Sequence, residues 1–152
     1  MGGTIKIKSE EGIGSTFIIR IPFKLASAPD TVKKTAAQMD ISGLNLLLVE
    51  DNELNAEIAK TLLSDEGANL TVAEDGLQAV RMFQEKPEGY FDAILMDIMM
   101  PVMDGITATK TIRSLKHPDA ETIPIIAMTA NAFREDKEKC LAAGMNAHLA
   151  KL

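Results

Sequence analysis

The carboxylates of Glu50, Asp51 and Asp97, the hydroxyl of Thr129 and the ammonium of Lys151 are scattered along this sequence, yet they stand at the ends of short apolar runs. The runs are NLLLV before Glu50-Asp51, AILM before Asp97, IIAM before Thr129 and AHLA before Lys151. An acid placed where a buried strand opens into a loop is held rigidly at the rim of a sheet, where it can serve as a nucleophile or a metal ligand. Taken singly, each residue has a duller reading. Asp97 could begin the turn toward Pro101, Asp51 could cap a helix, and Glu50 could be a solvated loop acid; Thr129 could start a helix and Lys151 could be a surface charge. Agreement among five strand-end positions favours one shared site.

The chemistry of the five groups is mutually consistent. Two carboxylates about 4 Å apart repel by roughly 4 kcal/mol at an effective dielectric of 20, so three together call for a cation. An all-oxygen set suits Mg²⁺, or Mn²⁺, which keeps water or phosphate oxygens in its shell. Beside such an ion Asp97 can attack phosphorus, while Lys151 and Thr129 meet the charge of the transferred group, the electrostatic work that phosphoryl transfer needs. The expected product is an acyl phosphate on Asp97.

Elements that would bring these groups together are legible around them. Strands are expected at 45–49, 70–73, 93–96, 125–128 and 147–150, alternating with helices that begin near Leu54, Gly76, Gly105 and Asn131. The first strand is apolar throughout, as a strand covered on both faces must be. Leu54, Ile58, Leu62 and Leu63 form the expected core stripe of the first helix, which ends at Gly67. Asp75 and Gln78 have the spacing of a capping box. Strands alternating with helices imply a doubly wound α/β fold with a parallel sheet, whose carboxyl edge gathers the loops and binds ligands.

Ahead of this domain, Thr4 to Phe23 alternates apolar and polar residues around Glu10-Glu11-Gly12-Ile13-Gly14, the pattern of two strands and a turn. Residues 24–43 are small and polar without sustained periodicity, the composition of a linker. The expected division is therefore a strand pair at 1–23, a linker at 24–43 and a main domain at 44–152.

Composition narrows the function classes. The net charge of -6, with no basic stripe, argues against a nucleic-acid surface. A single cysteine, Cys140, can form no internal disulfide, which favours a cytoplasmic setting and a structural thiol. No apolar run approaches the roughly 20 residues that cross a bilayer, so no membrane insertion by this chain is expected.

From Gly43 to Lys151 the sequence resembles a response-regulator receiver domain, on LLVEDNELN, ILMDIMMPVMDG, IIAMTAN and AAGMNAHLAK. The resemblance implies a flavodoxin-like, five-stranded parallel sheet of order 2-1-3-4-5 and a phosphoryl group drawn from a phosphohistidine on a histidine kinase or histidine phosphotransfer domain. It also implies Asp97 as acceptor, Glu50 and Asp51 as acidic-pocket residues, the Met99 carbonyl as a further Mg²⁺ ligand, and Thr129 and Lys151 as phosphoryl contacts. His148 falls where the family has a residue that reorients on activation, a role in which Thr129 shares; its plainer reading is an edge-strand histidine.

Residues 1–23, with Gly2-Gly3 and Gly12-Ile13-Gly14-Ser15-Thr16-Phe17, resemble the last strands of a histidine-kinase ATPase domain, so the parent resembles a hybrid histidine kinase. Two strands and a turn cannot enclose a nucleotide, and ATP binding by this chain is not expected. Leu152 stands where the family has proline, and the helix expected after the last strand is absent. That leads us to expect a loosely held Lys151 and an apolar face bare beside the first helix, open to self-association or a docked N-terminal segment. Two rival functions follow: a docking or oligomerisation module independent of phosphorylation, and an aspartate-based phosphatase. The phosphatase would want a second acid two residues after Asp97, where Met99 stands. Met99 also has no polar group to orient a hydrolytic water, so a long-lived acyl phosphate is expected.

Overall fold

The computed structural model of the chain describes residues 3–10, 12, 14–20, 40–129 and 134–151. The chain divides into two compact units, Met1–Gln38 and Met39–Leu152. In the first, β1 (Thr4–Glu10) and β2 (Gly14–Arg20) pair antiparallel, with Ile5 opposite Ile19 and Ile7 opposite Phe17. The period of two places these four apolar side chains on one face, and all four are exposed. Ile21 and Phe23 of the expected second strand, and the expected linker up to residue 39, lie outside the described residues.

The second unit alternates strands and helices: β3 (Asn45–Val49), α1 (Glu53–Asp65), β4 (Asn69–Ala73), α2 (Gly76–Glu85), β5 (Ala93–Asp97), α3 (Gly105–Arg113), β6 (Ile125–Thr129), α4 (Arg134–Ala142) and β7 (Ala147–Ala150). The five strands form one parallel sheet in the order β4-β3-β5-β6-β7, which is the expected 2-1-3-4-5 arrangement. Alternation along the central strands divides the core. Leu47, Val49, Ile94 and Met96 pack with Phe83, Ile112 and Cys140 on one face, while Leu46, Leu48 and Leu95 pack with Ala68 and Leu63 on the other. Each large apolar side chain fully buried in this way contributes roughly 1.5–3 kcal/mol.

The helices begin where side chains can satisfy their first N–H groups. Asn52, Asp75 and Asp104 accept from the backbone N–H of Asn55, Gln78 and Thr107. Asn52, not Asp51, is thus the cap of α1, which leaves the Asp51 carboxylate available to the loop. At the start of α2, Gln78 also reaches back to the Glu74 N–H at 2.7 Å, close to the expected box. Residues 130–133, where the expected fourth helix begins, lie outside the described residues.

The expected core stripe of α1 is only partly a core stripe. Leu54 is 69% exposed and Ile58 and Leu62 are each 48% exposed. Of the stripe Leu63 does face the core, and Ala56 and Ala59 turn toward the sheet with it, a spacing of three and then four that puts two small residues at the closest approach. Ile58 and Leu62 border an open groove described below. No helix among the described residues is long and apolar enough to cross a membrane.

Candidate functional site

Strand register brings the polar residues to one edge. Val49 is level with Ala73 and Met96, Asp97 with Met128, and Thr129 with Ala150, so Glu50, Asp51, Asp97, Thr129 and Lys151 all fall at the carboxyl rim. Glu50 follows β3 and donates its N–H to the Ala73 carbonyl at 3.0 Å. Its side chain is buried, as is that of Asp97, each residue being 4% exposed; Asp51 beside them is open to solvent. One carboxylate oxygen from each of the three acids lies within 4.8 Å of the other two.

Neither oxygen of Asp97 is loose. Oδ1 accepts the Met99 N–H at 3.2 Å and Oδ2 accepts from Lys151 Nζ at 2.6 Å. The same ammonium lies 2.6 Å from Glu50 Oε2, so one cation bridges two buried carboxylates. Lys151 also donates its backbone N–H to the Thr129 carbonyl at 2.8 Å, which ties the hydroxyl-bearing strand end to the lysine. Contrary to the expectation of a loosely held lysine, Lys151 is gripped by main chain and side chain together. Burial is the largest influence on Asp97 and raises its pKa, although the Lys151 and Met99 hydrogen bonds pull the other way. For Lys151 burial lowers the pKa, and the hydrogen bonds to Asp97 and Glu50 with their charges more than offset it, so the net direction is up.

The loop after Asp97 is built around close contacts. A β-carbon at Gly105 would run into the carbonyl oxygen of Asp97, and the Gly105 N–H bonds the Ile98 carbonyl at 3.0 Å, so α3 starts in direct backbone contact with the end of β5. Within the loop Val102 has φ +65°, a left-handed conformation rare for a β-branched residue. Met99 points its side chain to solvent, and His148 sits half-buried on β7 opposite Ala127.

Two residues of the surroundings were not singled out from sequence. Asn55, in the first turn of α1, donates from Nδ2 to Glu50 Oε1 at 3.0 Å. Arg113, at the end of α3, donates to the carbonyls of Gly144 at 3.0 Å, Ala120 at 2.8 Å and Ile123 at 2.8 Å, and to Asn146 Oδ1 at 3.0 Å. It thereby fixes the chain where it enters β6 and β7. A polar residue on the apolar stripe of α1 was the available signal for Asn55; nothing local marks Arg113. Beside the site a groove of about 420 Å³ runs along α1, with Ile58, Leu62, Leu95, Met128 and Leu149 in its walls and Glu50, Asn55 and Lys151 at its polar end.

Residues 46–152 match the family model of the response regulator receiver domain, and the chain belongs to that family. It is a receiver of the hybrid-histidine-kinase kind, a module of two-component phosphorelays. The Aerobic respiration control sensor protein ArcB of Escherichia coli (strain K12) is 38% identical over 153 residues, covering 99% of this chain and 19% of ArcB. Probable histidine kinase 1 of Oryza sativa subsp. indica is 34% identical over 161 residues, covering 87% of this chain and 16% of that protein. The chain therefore spans less than a fifth of either relative. Among solved structures, the receiver domain of sensor histidine kinase PA1611 from Pseudomonas aeruginosa PAO1, with a magnesium ion coordinated in its active-site cleft, superposes with a TM-score of 0.64 at 45% identity, covering 72% of this chain and 86% of that one. The receiver of Ssk1 from Saccharomyces cerevisiae, solved with the histidine phosphotransfer protein Ypd1, gives 0.63 at 32%, covering 73% and 80%.

Proposed function

We propose that Asp97 accepts a phosphoryl group from a phosphohistidine in a reaction that requires Mg²⁺ or Mn²⁺. The observation that carries this reading is the convergence of Glu50, Asp51 and Asp97 within 4.8 Å, with the Asp97 carboxylate fixed at both oxygens. The three acids fit a hard divalent cation, because their donor set is all oxygen and, among the described residues, Lys151 is the cation paired with them. Glu50, Asp51, Asp97 and the Met99 carbonyl would hold the ion, which supplies charge neutralisation between the carboxylates and the anionic donor.

Asp97 is held as a nucleophile by its strand-end position and by the Met99 N–H. A carboxylate oxygen forms the new bond to phosphorus as the bond from phosphorus to the imidazole nitrogen breaks; the imidazole leaves with the electron pair and takes a proton from water. Lys151 and the Thr129 hydroxyl meet the charge on the transferred group, and His148 and Thr129 report it by reorienting. Met99 offers no polar group to a hydrolytic water, so the acyl phosphate is long-lived.

The partner is a histidine kinase or a histidine phosphotransfer domain, a reading supported by the Ypd1 complex of the Ssk1 receiver. Residues 1–23 are the closing strand pair of a histidine-kinase ATPase domain, 24–43 a linker and 44–152 the receiver, in a cytoplasmic portion of a hybrid kinase; the alignment with ArcB over 99% of the chain supports this order. The exposed groove along α1 supports self-association as a secondary property.

Incubation with Mg²⁺ and acetyl phosphate, or with beryllofluoride, tests the central assignment. With acetyl phosphate, mass spectrometry is expected to show one added phosphoryl group that is lost with EDTA in the reaction and lost in Asp97→Ala; beryllofluoride is expected to bind wild type and not Asp97→Ala. Modification of Asp97→Ala at the wild-type level would refute it.

A further inference from the structure

The side chain of Asn55 occupies the third position of α1, counted from its Asn52 cap. In a capping box a Glu or Gln at this position reaches back to the N–H of the cap. Asn55 does something else. Its backbone N–H bonds Asn52 Oδ1 at 3.1 Å, which fixes the first turn, and its amide then reaches past the cap to Glu50 Oε1 at 3.0 Å. Asparagine is a poor helix former, so its presence in an exposed first turn owes nothing to helix propensity.

The recipient of that hydrogen bond is the member of the acidic cluster that most needs steering. Asp97 is oriented by the Met99 N–H, and the two aspartates have short side chains. Glu50 carries one more methylene and one more rotatable bond, and no backbone N–H bond to its carboxylate is present among the described contacts. Its two oxygens are held from opposite sides, Oε1 by the Asn55 amide and Oε2 by the Lys151 ammonium. The amide is neutral, so it orients the carboxylate without cancelling its charge. A lysine there would neutralise the acid, and an aspartate would repel it.

We infer that Asn55 is a positioning residue that aims the Glu50 carboxylate at the cation site it shares with Asp51 and Asp97. The inference rests on the proposal that this cluster takes a divalent cation. Outer-shell partners of metal ligands typically change metal affinity by about 10–100-fold when removed. Because Asn55 is exposed on its other side, the effect belongs at the low end of that range.

The test is isothermal titration calorimetry of the 152-residue chain with MgCl₂ alone, on wild type, Asn55→Ala, Asn55→Leu, Glu50→Gln and the double variants. Leucine keeps nearly the shape of asparagine without its donors, and alanine is the better helix former, so neither is expected to unfold α1. Both should weaken Mg²⁺ binding roughly tenfold in the wild-type background and less than twofold beside Glu50→Gln, since an effect routed through Glu50 disappears once Glu50 is altered. The thermal midpoint in EDTA should fall by no more than about 4–8 °C, the size expected for one lost hydrogen bond of roughly 1 kcal/mol. An unchanged Mg²⁺ affinity in Asn55→Ala, or equal weakening in both backgrounds, overturns the inference and leaves the phosphoryl-acceptor reading standing. A wild-type chain that takes up no Mg²⁺ at millimolar concentration overturns both.

Discussion

Lys151 Nζ lies 2.6 Å from Asp97 Oδ2 and 2.6 Å from Glu50 Oε2, so a residue one position beyond the last strand holds two buried acids apart and together. Its removal leaves those acids facing each other with no counter-charge among the described residues. Lys151→Met is expected to lower stability by roughly 3 kcal/mol, near the low end for breaking a buried ion pair. It should also reduce phosphorylation by acetyl phosphate at least 100-fold, because the charge on the transferred group loses its partner. Mg²⁺ should bind more tightly, since the ion no longer competes with an ammonium. Urea unfolding, a phosphorylation time course and calorimetry separate the three; weaker Mg²⁺ binding would contradict the bridging role.

The same pair sets a pH dependence for the metal-free chain, and both contributions decline as the pH rises, in two separate windows. Asp97 is raised, chiefly by burial, so the folded state holds its proton to higher pH than the unfolded state. Its contribution to stability is present at low pH and declines as the pH climbs from about 3.9 through the folded value. Lys151 is raised because its bonds to Asp97 and Glu50 outweigh burial. Its contribution is fully present below about 10.4 and is lost as the pH rises through the folded value. Urea midpoints in EDTA should show wild type converging on Lys151→Met at high alkalinity, where the ammonium is lost, and drawing nearer to it in acid, where its two partner carboxylates are protonated. Parallel curves above pH 10 would remove the lysine from the account.

Arg113 satisfies three backbone carbonyls from two separate segments, and no carboxylate shares it among the described contacts. Arg113→Met would strand those acceptors at about 1 kcal/mol or more each, for a total near 3 kcal/mol. Arg113→Lys is expected to recover little, because a point charge on a flexible stem cannot reproduce the planar fork. Denaturation of the two variants checks this; near-complete rescue by lysine would show that charge, not geometry, matters there.

Val102 holds a left-handed backbone that β-branched residues avoid, at a cost of order 1–3 kcal/mol. Asparagine tolerates that conformation, so Val102→Asn should raise stability by about 1 kcal/mol while Val102→Ile leaves it unchanged. A fall in the urea midpoint of Val102→Asn would mean that the exposed valine makes a contact worth more than the strain.

The strands at 45–49 and 147–150 were legible to the residue, because short apolar runs bounded by polar residues admit few alternatives. Asp97, Glu50 and Lys151 were legible because parallel strands place their ends on one edge whatever the details of packing. Burial along α1 was legible only at Leu63, because the period of the helix marks Leu54, Ile58 and Leu62 as equally apolar without saying that Ala56 and Ala59 take the sheet. Asn55 and Arg113 escaped for another reason. Their partners are a carboxylate five residues back and carbonyls in distant loops, which meet only after the chain has closed.

Gly105 leaves no cushion between β5 and α3. With no side chain between its Cα and the Asp97 carbonyl, and with its N–H on Ile98, the two elements touch bone to bone. Gly76 repeats the arrangement one helix away, where its N–H takes the Met103 carbonyl at 3.1 Å. A displacement of the main chain at Asp97 therefore has no soft part in which to dissipate. It would meet backbone at the first turn of α3, and the Met103 carbonyl carries the same kind of contact on to α2, so Asp97 stands at the end of a short, stiff lever.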